Sequence, residues 1–202
     1  MREKLIASAI SCLYNDGYSA ATTLNVQKKA GVSRGALVHH FPTRADLLIA
    51  VAKKIIEEQT KFYISELEKI GDNRERYLQI IAIAWKALKK PSGMALLEIL
   101  LGCRSDEDLS VRLAPVIRDL TAFQRQGMWY LAKGAGATDR AAVQSANDLC
   151  LAALRGLSIQ LLYDDDPDAT ESSVTLLLHW ARKWLAETAP ADTAMATLRA
   201  LR

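Results

Sequence analysis

The residues best suited to recognising another macromolecule lie between Thr22 and Arg44. Arg34 carries a planar guanidinium that can bridge the two acceptors on a guanine edge. Gly35 and Ala36 beside it allow close approach or touch a thymine methyl. His39 and His40 close the same stretch. Lys28 and Lys29 add point charges suited to the nucleic-acid backbone. Plainer readings stand beside these. Arg34, Lys28 and Lys29 also fit solvated surface charges, and the two histidines also fit capping or packing. Neither histidine has the third and fourth ligands in sequence that a metal site needs.

Catalytic chemistry is poorly represented elsewhere. Asp164, Asp165 and Asp166 are adjacent, which suits a cap and a hydrated turn at a helix break better than a metal cage. His179 sits in an apolar helical pattern without a nucleophile, base and orienting group around it. Gly134-Ala135-Gly136 follows no strand and reads as a loop, not a phosphate cradle. Cys12, Cys103 and Cys150 have neither disulfide-framework nor CxxC spacing. They read as small buried hydrophobes in a reducing compartment. No enzyme activity, cofactor or metal is expected.

The elements that must position the first group are helical. Leu5, Ile6, Ala9, Ile10 and Leu13 form a 3.6-residue stripe over residues 2–15, ended by Asp16-Gly17. Thr22 caps a second short helix reaching about Ala30. Gly31 turns the chain, and Ser33 caps a third helix over about 34–39. That is the spacing of a helix-turn-helix. Phe41-Pro42 stops the third helix. Thr43, with Asp46 as a weaker capping-box partner, opens a fourth over about 44–69.

Further helices are predicted over 74–89, from Pro91 to about 103, and to Lys133 after a Ser105–Asp108 cap. Pro115 predicts a kink or a division in the last of these. Thr138 is expected to cap a helix over 139–163. A last substantial helix spans 170–187, and the tail from Ala189 with Pro190 reads as frayed or as a short final helix. The fold class is all-α. A helix-turn-helix unit covers residues 1–48, and a larger helical domain covers 49–202.

Charge is distributed to match. The 202-residue chain has a formal net charge of only +3, with 26 Lys plus Arg against 23 Asp plus Glu. Residues 1–61 hold nine basic and five acidic side chains, a balance of +4, and the remainder balances at −1. The basic excess thus coincides with the helix-turn-helix. No uncharged apolar run reaches membrane-spanning length and the N-terminus enters an amphipathic pattern, so a cytoplasmic protein with no membrane partner is expected.

Gly17-Tyr18, Thr22-Thr23, Ala30 to Leu37, His40-Phe41 and Leu47, taken together over residues 5–52, resemble the TetR family of bacterial transcriptional regulators. The resemblance implies a homodimer that binds double-stranded operator DNA. It also implies a C-terminal domain holding an effector pocket, and most often repression relieved by a small molecule. It places Thr22 or Thr23 beside the DNA backbone. Ser33, Arg34, Gly35 and Ala36 fall on the recognition element, and His39 and His40 at its end. Arg44 matches a basic residue that meets phosphate. The chain departs from the family at Val38, where tyrosine is frequent, at Gln27, where alanine is usual, and at Leu24, where a polar residue is common. An activator of the same fold and, more remotely, a helical protein-interaction adaptor are the alternatives.

The two last large helices are apolar over a wider arc than one buried face needs. This suits a four-helix bundle between two subunits, with Leu154, Leu161, Leu177, Trp180 and Trp184 as candidate interface residues. A wholly intramolecular core is the alternative. The candidate effector-binding residues are Trp85, Met94, Leu97, Leu101, Cys103, Ile117, Phe123, Trp129 and Arg155. They suit a ligand of apolar or aromatic character, and ordinary core positions suit each of them as well.

Overall fold

A computed structural model describes residues 1–163 and 165–189. Their order is α1 (Arg2–Ala20), α2 (Thr23–Ala30), α3 (Arg34–His40), α4 (Arg44–Glu68), α5 (Asn73–Leu88), α6 (Pro91–Gly102), α7 (Glu107–Gly134), α8 (Arg140–Gln160) and α9 (Pro167–Thr188). The architecture is all-α. Asp164 and the tail from Pro190 lie outside the described residues, so the expectations for both go no further.

Most boundaries follow from local chemistry. Gly17 takes φ 76° inside α1, a conformation cheap only for glycine, and the regular helix ends there as its sequence predicts. Asp106 caps α7 by accepting the Leu109 N–H at 3.0 Å. Three expectations are corrected. α7 is continuous through Pro115. The proline and Val111 four residues earlier are both exposed, so water can meet the carbonyl that lost its donor. The cap of α8 is Asp139, not Thr138: its carboxylate accepts from Ala141 N at 2.9 Å and Ala142 N at 3.0 Å. α9 begins at Pro167 after an Asp166 cap, earlier than expected, because a first-turn proline needs no donor and arrives with its φ fixed.

Packing divides the chain into two compact units, Met1–Thr60 with Ala87–Leu120, and Lys61–Lys86 with Thr121 onward. In the first, Leu5, Ile6, Leu13, Val26, Leu37, Leu47, Leu48, Ile55, Ile99, Leu109 and Leu113 form one buried cluster. Each such leucine contributes about 2 kcal/mol through burial. Helices α2 and α3 are too short to be stable alone. Their order comes from Val26, Ala30 and Leu37 seated in this cluster.

In the second unit Tyr77, Met128, Leu131, Val143 and Leu185 form the core. Tyr77 stacks on Trp184 with ring centroids 6.5 Å apart. The Trp85 indole N–H donates to the Glu171 carboxylate at 2.9 Å. Arg76 closes the carbonyl end of α4, its Nε donating to Leu67 O at 3.1 Å and Ile70 O at 2.6 Å. Cys12 and Cys150 are buried and Cys103 is half-buried, all as free thiols. Burial pushes the Cys150 thiol up to about 11. Among the described residues, no helix is long and apolar enough to cross a membrane.

Candidate DNA interface

The α2–turn–α3 segment is fixed by three local devices. Thr22 Oγ1 accepts the Asn25 N–H at 3.2 Å and caps α2. Gly31, at φ 59° and ψ 43°, ends α2 in the left-handed conformation. Its N–H meets Lys28 O at 3.1 Å and the Val32 N–H meets Gln27 O at 3.3 Å, so two orphan carbonyls are satisfied across the turn. Ser33 Oγ then accepts the Ala36 N–H at 3.2 Å and opens α3. After α3, Thr43 and Asp46 bond reciprocally, Thr43 N to Asp46 Oδ2 at 2.9 Å and Asp46 N to Thr43 Oγ1 at 3.1 Å. This is the capping pair the sequence predicts.

These devices sort the side chains of α3 by face. Leu37 is 2 % exposed and anchors the helix. Arg34, Gly35, Val38 and His39 are exposed, and Ala36 and His40 are half-buried. No intramolecular hydrogen bond or ion pair engages the Arg34 guanidinium among the described residues. The His39 and His40 rings meet edge to face at 5.3 Å. Thr22 and Thr23 are half-buried at the start of α2, and Lys28 and Lys29 are exposed in its last turn. The structure therefore gathers every sequence-nominated DNA residue except Arg44 around α2 and α3.

Arg44 is turned inward. Its Nε donates to Ala21 O at 3.0 Å and its Nη2 to Tyr18 O at 2.5 Å. The guanidinium lies 4.1 Å from the Tyr18 ring centroid, and the Tyr18 hydroxyl donates to Asp106 Oδ2 at 2.8 Å. Its Nε and Nη2 donors are thus engaged at the α1–α2 corner, and Arg44 braces the start of α4 against that corner. Sequence reading missed the network, since Asp106 is 88 residues from Tyr18 in the chain. Gly102 is part of the reason it closes: a Cβ there would overlap the Tyr18 ring.

The network responds to acid. Burial, followed by the bond to Asp106, pushes the Tyr18 phenol up to about 12. The Leu109 N–H, then the Tyr18 hydroxyl, hold Asp106 below the ordinary carboxylate range. A carboxylate depressed in the folded state contributes stability above its unfolded pKa of about 3.9 and loses it as pH falls through the folded value. The urea midpoint of wild type should therefore fall as pH drops from 5 to 3. For Asp106→Asn the unfolding free energy should start lower at pH 7, by about 1 kcal/mol, and the gap to wild type should close as pH falls through the folded value of Asp106. Parallel curves would remove Asp106 as a source of the acid sensitivity.

The other nominated residues fall in both units. Met94 is buried in α6, Leu97 is half-buried and Leu101 is exposed, while Cys103 and Ile117 pack against the core of the first unit. In the second unit Trp85 is buried, Trp129 half-buried, and Phe123 and Arg155 exposed. Trp129 lines a small surface cleft with Arg125, Met128, Arg140, Val143, Gln144 and Asn147. Of the nominated interface residues, Leu154 is 1 % exposed and belongs to the subunit interior. Trp184 is half-buried against Tyr77. Leu161 and Leu177 are half-buried, and Trp180 is 37 % exposed. The outward stripe is instead Leu149, Ala152, Gly156 and Ile159 on α8, with Leu176 and Trp180 on α9.

Residues 5–51 match the family profile described as bacterial regulatory proteins, tetR family. The chain is 27 % identical over 119 residues to an HTH-type transcriptional regulator of Mycobacterium tuberculosis, a match covering 59 % of this chain and 61 % of that protein. It is 26 % identical to the HTH-type transcriptional regulator CymR of Pseudomonas putida, over 89 % of this chain and 88 % of CymR. Among solved structures, the transcriptional regulator FadR of Bacillus subtilis, determined in complex with stearoyl-CoA, shares the fold. Its TM-score is 0.68 at 16 % identity, over 88 % of this chain and 98 % of that one.

Proposed function

We propose that the chain, whose residues 5–51 match the profile of the tetR family of bacterial regulatory proteins, is a member of that family and acts in the cytoplasm as a sequence-specific regulator of transcription. In this reading a two-fold dimer lays one α3 from each subunit into successive major grooves. The observation that carries it is α3 itself: Leu37 is locked in the core while Arg34, Gly35, Val38 and His39 face solvent. Arg34 reads a guanine edge, Ala36 stands by a thymine methyl, and His39 and His40 meet phosphate or a base edge. Thr22, Thr23, Lys28 and Ser33 hold the backbone. Residues 1–48 carry this role and 49–202 carry dimerisation and control.

Two subunits meet through the outward faces of α8 and α9. On α8, Leu149, Ala152, Gly156 and Ile159 recur at helical spacing, and nothing in the subunit lies within 4 Å of a Cβ built at Gly156. Another helix can approach closely there. The regulatory sign is repression relieved by a small apolar or aromatic molecule. Support for a ligand comes from FadR of Bacillus subtilis, a protein of this fold with stearoyl-CoA bound. A ligand of this kind acts only through unequal affinity for the DNA-competent and DNA-incompetent dimer.

Salt titration of binding by fluorescence anisotropy tests the DNA reading. Lys28→Ala should weaken specific and nonspecific duplexes alike and reduce the salt slope by about 1 per subunit. An unchanged slope would take Lys28 off the backbone. Loss of binding on adding a candidate ligand would support the release mechanism, and unchanged affinity at saturation would reject that ligand.

A further inference from the structure

We propose that Val38 is a specificity-determining residue: with Gly35 it forms a notch on α3 that reads the C5-methyl of a thymine in each half-site. The inference rests on the DNA-binding reading above and extends it to a base group. Val38 is 45 % exposed, while its neighbour Leu37 is 2 % exposed. A stiff β-branched side chain thus stands in water with no core to fill. It lies one turn after Arg34 and three residues after Gly35, so the three share one strip of the helix.

Gly35 supplies a second, independent observation. A Cβ built there would meet nothing nearer than Ser33 Oγ at 4.0 Å, and its backbone is not in the left-handed region. Alanine would fit the subunit and favour the helix, so nothing within the subunit calls for a glycine at this position. It suits a surface from outside that comes close to the backbone. The isopropyl group beside it can neither donate nor accept a hydrogen bond. On a major-groove edge the apolar feature that matches it is the thymine methyl.

The test starts from a duplex enriched from a random pool by the full-length protein. Each thymine is replaced singly by deoxyuridine, which deletes the methyl and keeps the base pair. For wild type, one position per half-site should lose about four-fold in affinity, and the symmetric pair of replacements about fifteen-fold. Val38→Ala should bind the thymine duplex about as weakly as wild type binds the uracil duplex, and show no further loss at that position. Gly35→Ala should keep or raise the thermal midpoint yet lose at least about ten-fold on both duplexes, from lost close approach.

An enriched duplex that tolerates every deoxyuridine, or a Val38→Ala protein that keeps the full uracil penalty, overturns the Val38 assignment and leaves DNA binding intact. A Gly35→Ala protein that binds like wild type overturns the notch. If no duplex is enriched, the DNA-binding reading and this assignment fall together.

Discussion

Replacing Arg34 by alanine is expected to weaken binding to the enriched duplex about a hundred-fold, while binding to unrelated duplex falls only a few-fold. A bidentate arginine–guanine contact discriminates by about 1–3 kcal/mol, and a two-fold dimer loses it twice. A side chain that only neutralised phosphate would instead lower both affinities equally. Folding is not at issue. Arg34 is exposed and has no intramolecular partner among the described residues, so the thermal midpoint should change little. Anisotropy titrations on the two duplexes at one salt concentration measure the contrast. Equal losses would move Arg34 from the base edge to the backbone.

Leu176→Glu is expected to convert the dimer to monomer and abolish operator binding at concentrations where wild type saturates. Leu176 is 68 % exposed in the subunit, so a glutamate there is solvated when the subunit stands alone. In the proposed interface the same carboxylate is buried twice around a two-fold axis without a partner. That costs about 3–5 kcal/mol and raises the dimer dissociation constant by about a hundred- to several-thousand-fold. Sedimentation velocity measures the mass, and circular dichroism checks that the monomer stays helical. A variant that sediments as a dimer would place the interface away from α9.

The parts legible in the sequence were those governed by local chemistry. The Thr22 and Ser33 caps, the Gly31 turn and the Thr43–Asp46 pair each need only residues within a few positions, and each was readable from spacing. Facing was harder to read. Helix α8 is apolar on both sides, so its pattern could not separate Leu154, which is buried inside the subunit, from Leu149 and Ile159, which point outward. The inward bonds of Arg44 were not readable for a different reason. A basic residue opening a helix looks the same in sequence whether it meets phosphate or folds back. What decides here is Tyr18, which offers a carbonyl and a ring, with Asp106 beyond it. In sequence Val38 is a departure from the family pattern; the fold is what turns Leu37 inward and Val38 outward.

The central claim is that the exposed face of α3 selects a DNA sequence. Selection of the folded, dimeric protein against a random duplex pool at moderate salt tests it most directly. The account predicts enrichment of a two-fold-symmetric site whose half-sites carry a guanine for Arg34 and a neighbouring thymine for Val38, with both preferences lost in the corresponding alanine variants. A folded dimer that leaves the pool unenriched would contradict the account and favour a helical adaptor in its place.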